Sequence, residues 1–220
     1  MKKSKLFLFS ILFIATISCN KSSECYSCDT KVDEFVKKNN EELSTISIVK
    51  LAQYKPEIQR ATFRMYDKQR QQDVWKEKYE YILKNNPNNY TVEELQFVKK
   101  LLNFIISDGL NKERLTFINN WIQEVRGKFL WGDERLRFLV MSLDVNEENY
   151  FKNNNVSALR SASCSCNTIN SGVLIDDCPT YIPACNKNNY CKVEQRGCGY
   201  FWVDPCNGDC ALDIDVIDPL

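Results

Sequence analysis

Residues 91–109 read TVEELQFVKKLLNFIISDG. Thr91 followed three residues later by Glu94 is the capping-box signature of a helix start, because each side chain can accept from the other residue's backbone N–H. Leu95, Val98, Leu102 and Ile105 then recur at intervals of three and four, the spacing that lines one face of an α-helix, until Asp108-Gly109 ends the pattern. A helix with one apolar face must bury it against other elements, so this segment sets the fold class of its surroundings.

The same periodicity extends in both directions. Downstream, Leu115, Ile118, Ile122, Val125 and Phe129 keep the alternation, and Gly132-Asp133 reads as a stop and a fresh N-cap before a helix carrying Leu136, Leu139, Val140 and Leu143. Upstream, Val74, Trp75, Tyr79, Ile82 and Leu83 form a stripe that the polar run Asn85-Asn86-Pro87-Asn88-Asn89 interrupts. Pro56 suits the first turn of a helix carrying Ile58, Ala61 and Met65. Val32, Phe35, Val36, Leu43, Ile46 and Val49 supply one long helix or two short ones. Residues 31–144 therefore read as an antiparallel helical bundle, with Trp75, Trp121 and Trp131 in its core. Charge runs such as Lys76-Glu77-Lys78 are expected on the solvated faces.

The 220 residues include 29 basic and 29 acidic side chains, 11 cysteines and no histidine. Without histidine, Ser-His-Asp, Cys-His and HExxH sites are excluded, and no other catalytic constellation stands out. A non-enzymatic protein that needs no cofactor is expected. Zero net charge gives no global reason for nucleic-acid binding.

At the N-terminus, Lys2, Lys3 and Lys5 precede an apolar run from Leu6 to Ile14. A spanning helix needs about 20 apolar residues, whereas a signal peptide needs roughly 7–15, so residues 1–18 read as an export signal. Thr16-Ile17-Ser18-Cys19 resembles a bacterial lipobox, in which the cysteine is diacylated and becomes the new N-terminus. Cys19 is thus the expected membrane anchor, with residues 19–30 as its tether. Removing Cys19 from the count leaves an even ten cysteines, as a disulfide-bonded exported protein would have. Cys25 and Cys28 are expected to bond to each other beside the anchor.

After Cys28 no cysteine occurs until Cys164, and then eight follow: Cys164, Cys166, Cys178, Cys185, Cys191, Cys198, Cys206 and Cys210. Residues 145–163, rich in Asn, Glu and Ser, read as a linker to a small disulfide-rich module of loops and short strands at 164–220. So short a segment buries too little apolar surface to fold comfortably unaided, and each disulfide can contribute about 2–4 kcal/mol. Eight cysteines allow roughly a hundred pairings, and sequence does not choose among them beyond disfavouring the ring Cys164–Cys166.

The run Ser163-Cys164-Ser165-Cys166-Asn167-Thr168, followed by Cys178-Pro179-Thr180, Cys185, Cys191, Gly197-Cys198-Gly199, Trp202-Val203 and Cys206-Asn207-Gly208, resembles the bacteriocin fulvocin C-related family. The similarity covers residues 164–210. The interval after Cys166 is longer in this chain, and three residues rather than one separate the last two cysteines. The resemblance implies a lipid-anchored, exported protein of the outer membrane or cell surface, with an antibacterial module that acts on an envelope or receptor target of competitor cells after release. The helical region would hold that module inactive or present it.

Charge opposes simple attraction to anionic lipid. Residues 161–220 carry only Lys187, Lys192 and Arg196 against eight acidic side chains. The aromatic run Tyr200, Phe201 and Trp202 is therefore the expected contact with a partner, unless these rings form the module's own small core. The alternative function is a non-toxic envelope lipoprotein whose module binds a surface partner. Asp204, Asn207 and Asp209 lack EF-hand spacing, so no metal site is expected.

Overall fold

The computed structural model describes residues 25–107, 110, 113–154, 166–168 and 194–208. Among these the chain is mainly helical, with a small strand region near its C-terminal end, as the periodicity predicts. The helices are α1 Thr30–Lys38, α2 Asn40–Thr45, α3 Ile48–Leu51, α4 Pro56–Met65, α5 Lys68–Asn85, α6 Val92–Ile106, α7 Arg114–Phe129, α8 Asp133–Met141 and α9 Glu147–Asn154. They are followed by β1 Glu194–Cys198, a 3-10 turn Tyr200–Trp202 and β2 Asp204–Cys206.

The long central helices are antiparallel, as their cross-contacts require. Gln72, early in α5, donates to the carbonyl of Ile105 at the end of α6 at 2.5 Å. Lys100 pairs with Glu124, and Glu93 with Lys128, so α6 and α7 run in opposite senses. Helix α6 starts as its sequence requires: the Glu94 N–H donates to Thr91 Oγ1 and the Thr91 N–H to Glu94 Oε2. Its buried face is Phe97, Val98, Leu101 and Ile105, turned slightly from the expected stripe, which leaves Leu95 and Leu102 half-buried.

Three other expectations change. The first apolar stretch breaks into three short helices instead of one or two, with Asn39 ending α1 and starting α2. Helix α7 stops at Leu130, whose φ of 55° is left-handed, rather than at Gly132, which is the extended N-cap of α8. The earlier stop turns Trp131 inward, where its Nε1 donates to Glu94, and leaves Leu130 88% exposed. The expected linker also begins too early, because residues 147–154 form α9. Polar tertiary contacts hold this helix. The Tyr90 hydroxyl meets Glu147 at 2.5 Å, Arg135 also reaches Glu147, and the Tyr150 hydroxyl reaches Glu134. No apolar stripe announces such contacts.

Lys78 departs furthest from its expected place. It is fully buried, although Lys76-Glu77-Lys78 reads as a solvated run. Its Nζ donates to the carbonyls of Phe138, Leu139 and Ser142, which lie at the C-terminal end of α8 where no further turn supplies donors. The rings of Trp75, Tyr79 and Phe138 surround the ammonium. A lysine side chain thus caps one helix from inside another, and its three carbonyl acceptors and the surrounding ring faces offset the cost of its burial.

Burial pushes the Lys78 ammonium down from its ordinary 10.5 to about 7, partly offset by Asp144 and Glu147. Between about pH 7 and pH 10 the unfolded chain holds a proton that the folded chain has released, so stability rises with pH in this window. Above about pH 10 the buried tyrosines Tyr66, Tyr79, Tyr90 and Tyr150, all pushed upward by burial, act in the opposite sense. Urea midpoints at about pH 7 and about pH 9.5 should show the rise in the native protein and its loss in Lys78→Met. At neutral pH that variant should be less stable by about 2–4 kcal/mol, because buried carbonyls lose their donor.

Candidate functional site

The described part of the cysteine-rich region is a disulfide-closed hairpin and the seat that receives it. Strands β1 and β2 pair antiparallel, with Glu194 opposite Cys206 and Cys198 opposite Asp204, and a register irregularity lies between the two pairs. A Cys198–Cys206 disulfide closes the hairpin. This is one pairing that the sequence left open.

Between the strands the backbone turns sharply. Gly199 has φ of 68°, and Phe201 and Trp202 each have φ of 58°, in the left-handed region that side chains disfavour. Two such residues cost about 1–3 kcal/mol each. The conformation directs Tyr200, Phe201 and Trp202 together into the helical core, where they are 4%, 0% and 3% exposed. Burying each ring returns roughly 1.5–3 kcal/mol, so packing outweighs the strain.

The flanking glycines have separate reasons. At Gly197, with φ of 111°, a Cβ would stand 2.7 Å from Arg64 Nη2. At Gly199 a Cβ would run into the Asp204 carboxylate. The Gly197-Cys198-Gly199 motif therefore brings two charged side chains close to the hairpin backbone.

Helices α4, α5 and α8 build the centre of the seat. Trp75 from α5 meets Phe201 edge-to-face at 5.3 Å and Trp202 at 6.1 Å. Phe63 from α4 meets Trp202 edge-to-face at 5.6 Å. The Trp75 Nε1–H donates to the Phe201 carbonyl at 3.0 Å, and the Trp202 Nε1–H to the Met141 carbonyl of α8 at 2.7 Å. Each indole thereby satisfies its polar group while burying its rings.

Charged groups fasten the edge. Arg114 at the start of α7 pairs with Asp204 in a mostly buried contact. Arg64 donates through Nε to the Arg196 carbonyl at 2.6 Å and through Nη1 to the Tyr26 carbonyl at 2.9 Å, tying the segment before α1 to the hairpin. Arg196 reaches Gln71 Oε1, while the Gln71 amide donates to the carbonyls of Phe63 and Tyr66 at the end of α4. The sequence assigned no role to Arg64, Gln71 or Arg114. A polar residue shows no periodicity when its partner is ninety or more residues away.

The opening and closing motifs of the module also meet. Cys166 and Gly208 form an antiparallel bridge, and Asn207 Oδ1 accepts from the Thr168 N–H at 2.7 Å and from its hydroxyl at 3.1 Å. Cys166 is disulfide-bonded. Cys19, Cys164, Cys178, Cys185, Cys191 and Cys210 lie outside the described residues, as do residues 1–18, where an export signal is expected, and residues 155–163. Cys25 is an exposed thiol whose Sγ contacts the Ser27 carbonyl at 2.9 Å, so the expected Cys25–Cys28 bond is not formed.

The expected partner-facing aromatic run is corrected by its burial. Tyr200, Phe201 and Trp202 meet the bundle itself, so the core they join is neither an exposed surface nor a separate miniature one. Among the described residues no cluster of three or more acidic, cysteine or histidine side chains could hold a metal ion, and no helix is long and apolar enough to cross a membrane. Comparison with known proteins finds no family, curated protein or solved structure that matches this chain.

Gly199→Ala should lower stability by about 2–3 kcal/mol, because it strains a left-handed backbone and displaces Asp204 from Arg114. For a chain of this size, that is a fall of roughly 5–10 °C in Tm, readable by calorimetry under non-reducing conditions. A variant melting with the native protein would contradict the role given to Gly199.

Proposed function

We propose that this chain is an exported lipoprotein of the bacterial cell envelope, anchored through a lipid on Cys19, in which a helical body carries a fulvocin C-like cysteine module in a docked and inert form. The burial of Tyr200, Phe201 and Trp202 in the bundle carries this reading. Insertion into a membrane or engagement of a receptor needs exposed rings, and in the intact protein these rings are occupied. The acidic excess of residues 161–220 gives no competing attraction to anionic lipid.

Antibacterial action on the envelope or a receptor of competitor cells then belongs to the released module, and the role is one of holding and presentation rather than catalysis. No cofactor or nucleic acid takes part. The same burial favours a second reading, in which the module never leaves and the protein is a non-toxic envelope component. There the hairpin completes the helical core, and another part of the module meets a surface partner.

Two measurements test the proposal. Intact mass of the membrane-extracted protein should show a chain starting at a diacylated Cys19, and Cys19→Ala should shift the protein out of the membrane fraction. An unmodified Cys19 in the mature chain would overturn the anchor. Growth assays on a panel of bacteria should show that the intact protein is inert and that Trp75→Ala, with its seat broken, kills. Killing by the intact protein would overturn the docked state, whereas inactivity of both would favour the non-toxic reading.

A further inference from the structure

We infer that the helical body is a binding site for a disulfide-closed hairpin, holding residues 194–206 non-covalently and retaining them when the chain between body and hairpin is cut. The inference rests on the reading above that the body holds the module. It adds that the joint is an affinity interface and that chain cleavage alone does not release the module.

No cysteine lies between Cys28 and Cys164, so nothing in the helices can bond covalently to the hairpin. Cys198 and Cys206 are bonded to each other. The connection between Asn154 and the module is therefore a backbone tether, and the docking itself consists of packing, hydrogen bonds and one mostly buried ion pair. Its make-up is that of a protein–protein interface. Aromatic anchors from the hairpin, Phe201 and Trp202, meet Trp75 and Phe63 at the centre. Arg64 and Arg114 flank them, holding the Arg196 carbonyl and the Asp204 carboxylate. Tryptophan, tyrosine and arginine at a desolvated centre with polar groups around it are the groups that dominate measured binding energies.

The hairpin also comes prepared. Its disulfide closes the strands, and Gly197 and Gly199 permit the turn that points two rings the same way. Strands already held together lose less conformational freedom on docking, which raises affinity, while the strain at Phe201 and Trp202 is offset by the burial of their rings. The recognised chemistry is thus a disulfide-closed loop carrying Gly-Tyr-Phe-Trp and an acidic residue two positions beyond the tryptophan. Any chain presenting that arrangement is a candidate ligand, and the protein's own module is the occupant the structure displays.

The test uses the full chain with a protease site placed within residues 155–163, cut under non-reducing conditions and run on size exclusion in native buffer. The two pieces should co-elute at the size of the uncut protein and remain together on dilution. Asp204→Asn removes the ion pair with Arg114, and Trp202→Phe removes the donor to Met141. Each should raise the dissociation constant of the cut protein at least about tenfold. Separation of the two pieces immediately after cutting, with the helical signal of the body intact, would overturn the inference. So would unchanged dissociation in both variants. Circular dichroism of each uncut variant identifies one that has failed to fold, and Asp204→Asn carries the test if Trp202→Phe is lost that way. Association is measured without reference to killing or to the lipid on Cys19, so its failure is distinguishable from failure of the envelope or antibacterial reading.

Discussion

The contact on which the rest of the structure depends is the docking of Phe201 and Trp202 against Trp75 in the middle of the helical bundle. Trp75 is fully buried and occupies the centre of an aromatic set that draws on α4, α5 and α6 as well as the hairpin. Without the hairpin rings, the inner faces of these helices would surround a gap lined by Phe63, Trp75 and Phe104. Protein interiors pack too closely to tolerate such a void, so the C-terminal segment belongs to the core as much as any helix does. A disulfide module that reads as an appendage is in this respect a structural part of the bundle.

Polar groups share the work of uniting distant segments. Lys78 closes the end of α8 from within α5, and Arg64 gathers the segment before α1 and the hairpin at the end of α4. Asp144 accepts from the Ser142 hydroxyl and from the Gln59 amide, joining the segment after α8 to α4. Each of these groups satisfies backbone or side-chain atoms that would otherwise be buried without partners, a condition that costs more than the bond itself returns. The polar contacts therefore act chiefly on specificity, selecting the arrangement in which these groups are matched.

Much of the body is legible in the sequence because helices advertise themselves locally. The Thr91 capping box, the stripe Ile118, Ile122 and Val125, Pro56 in a first turn and the asparagine-rich break after α5 all stand where short-range rules put them. Lys78 lies between Trp75 and Ile82 at helical spacing, on the very face that is buried, and only its charge argued for solvent. Helix α9 offered no such cue, since ion pairs and hydroxyl contacts from α5–α6 and α8 fasten it.

At the site the division is sharper. By itself, the sequence determined the helical class, the separation of cysteine-free from cysteine-rich chain, and the presence of glycines on both sides of Cys198. These are consequences of periodicity, composition and steric freedom, which act over a few residues. Only the tertiary structure decided that Cys198 bonds to Cys206, that Arg64 and Arg114 grip the hairpin, and that Tyr200, Phe201 and Trp202 point into the bundle. An aromatic run buries its area equally well against a partner, within its own module or in another domain's core. The choice depends on which complementary surface the fold brings within reach, and here that surface is built by helices more than sixty residues away.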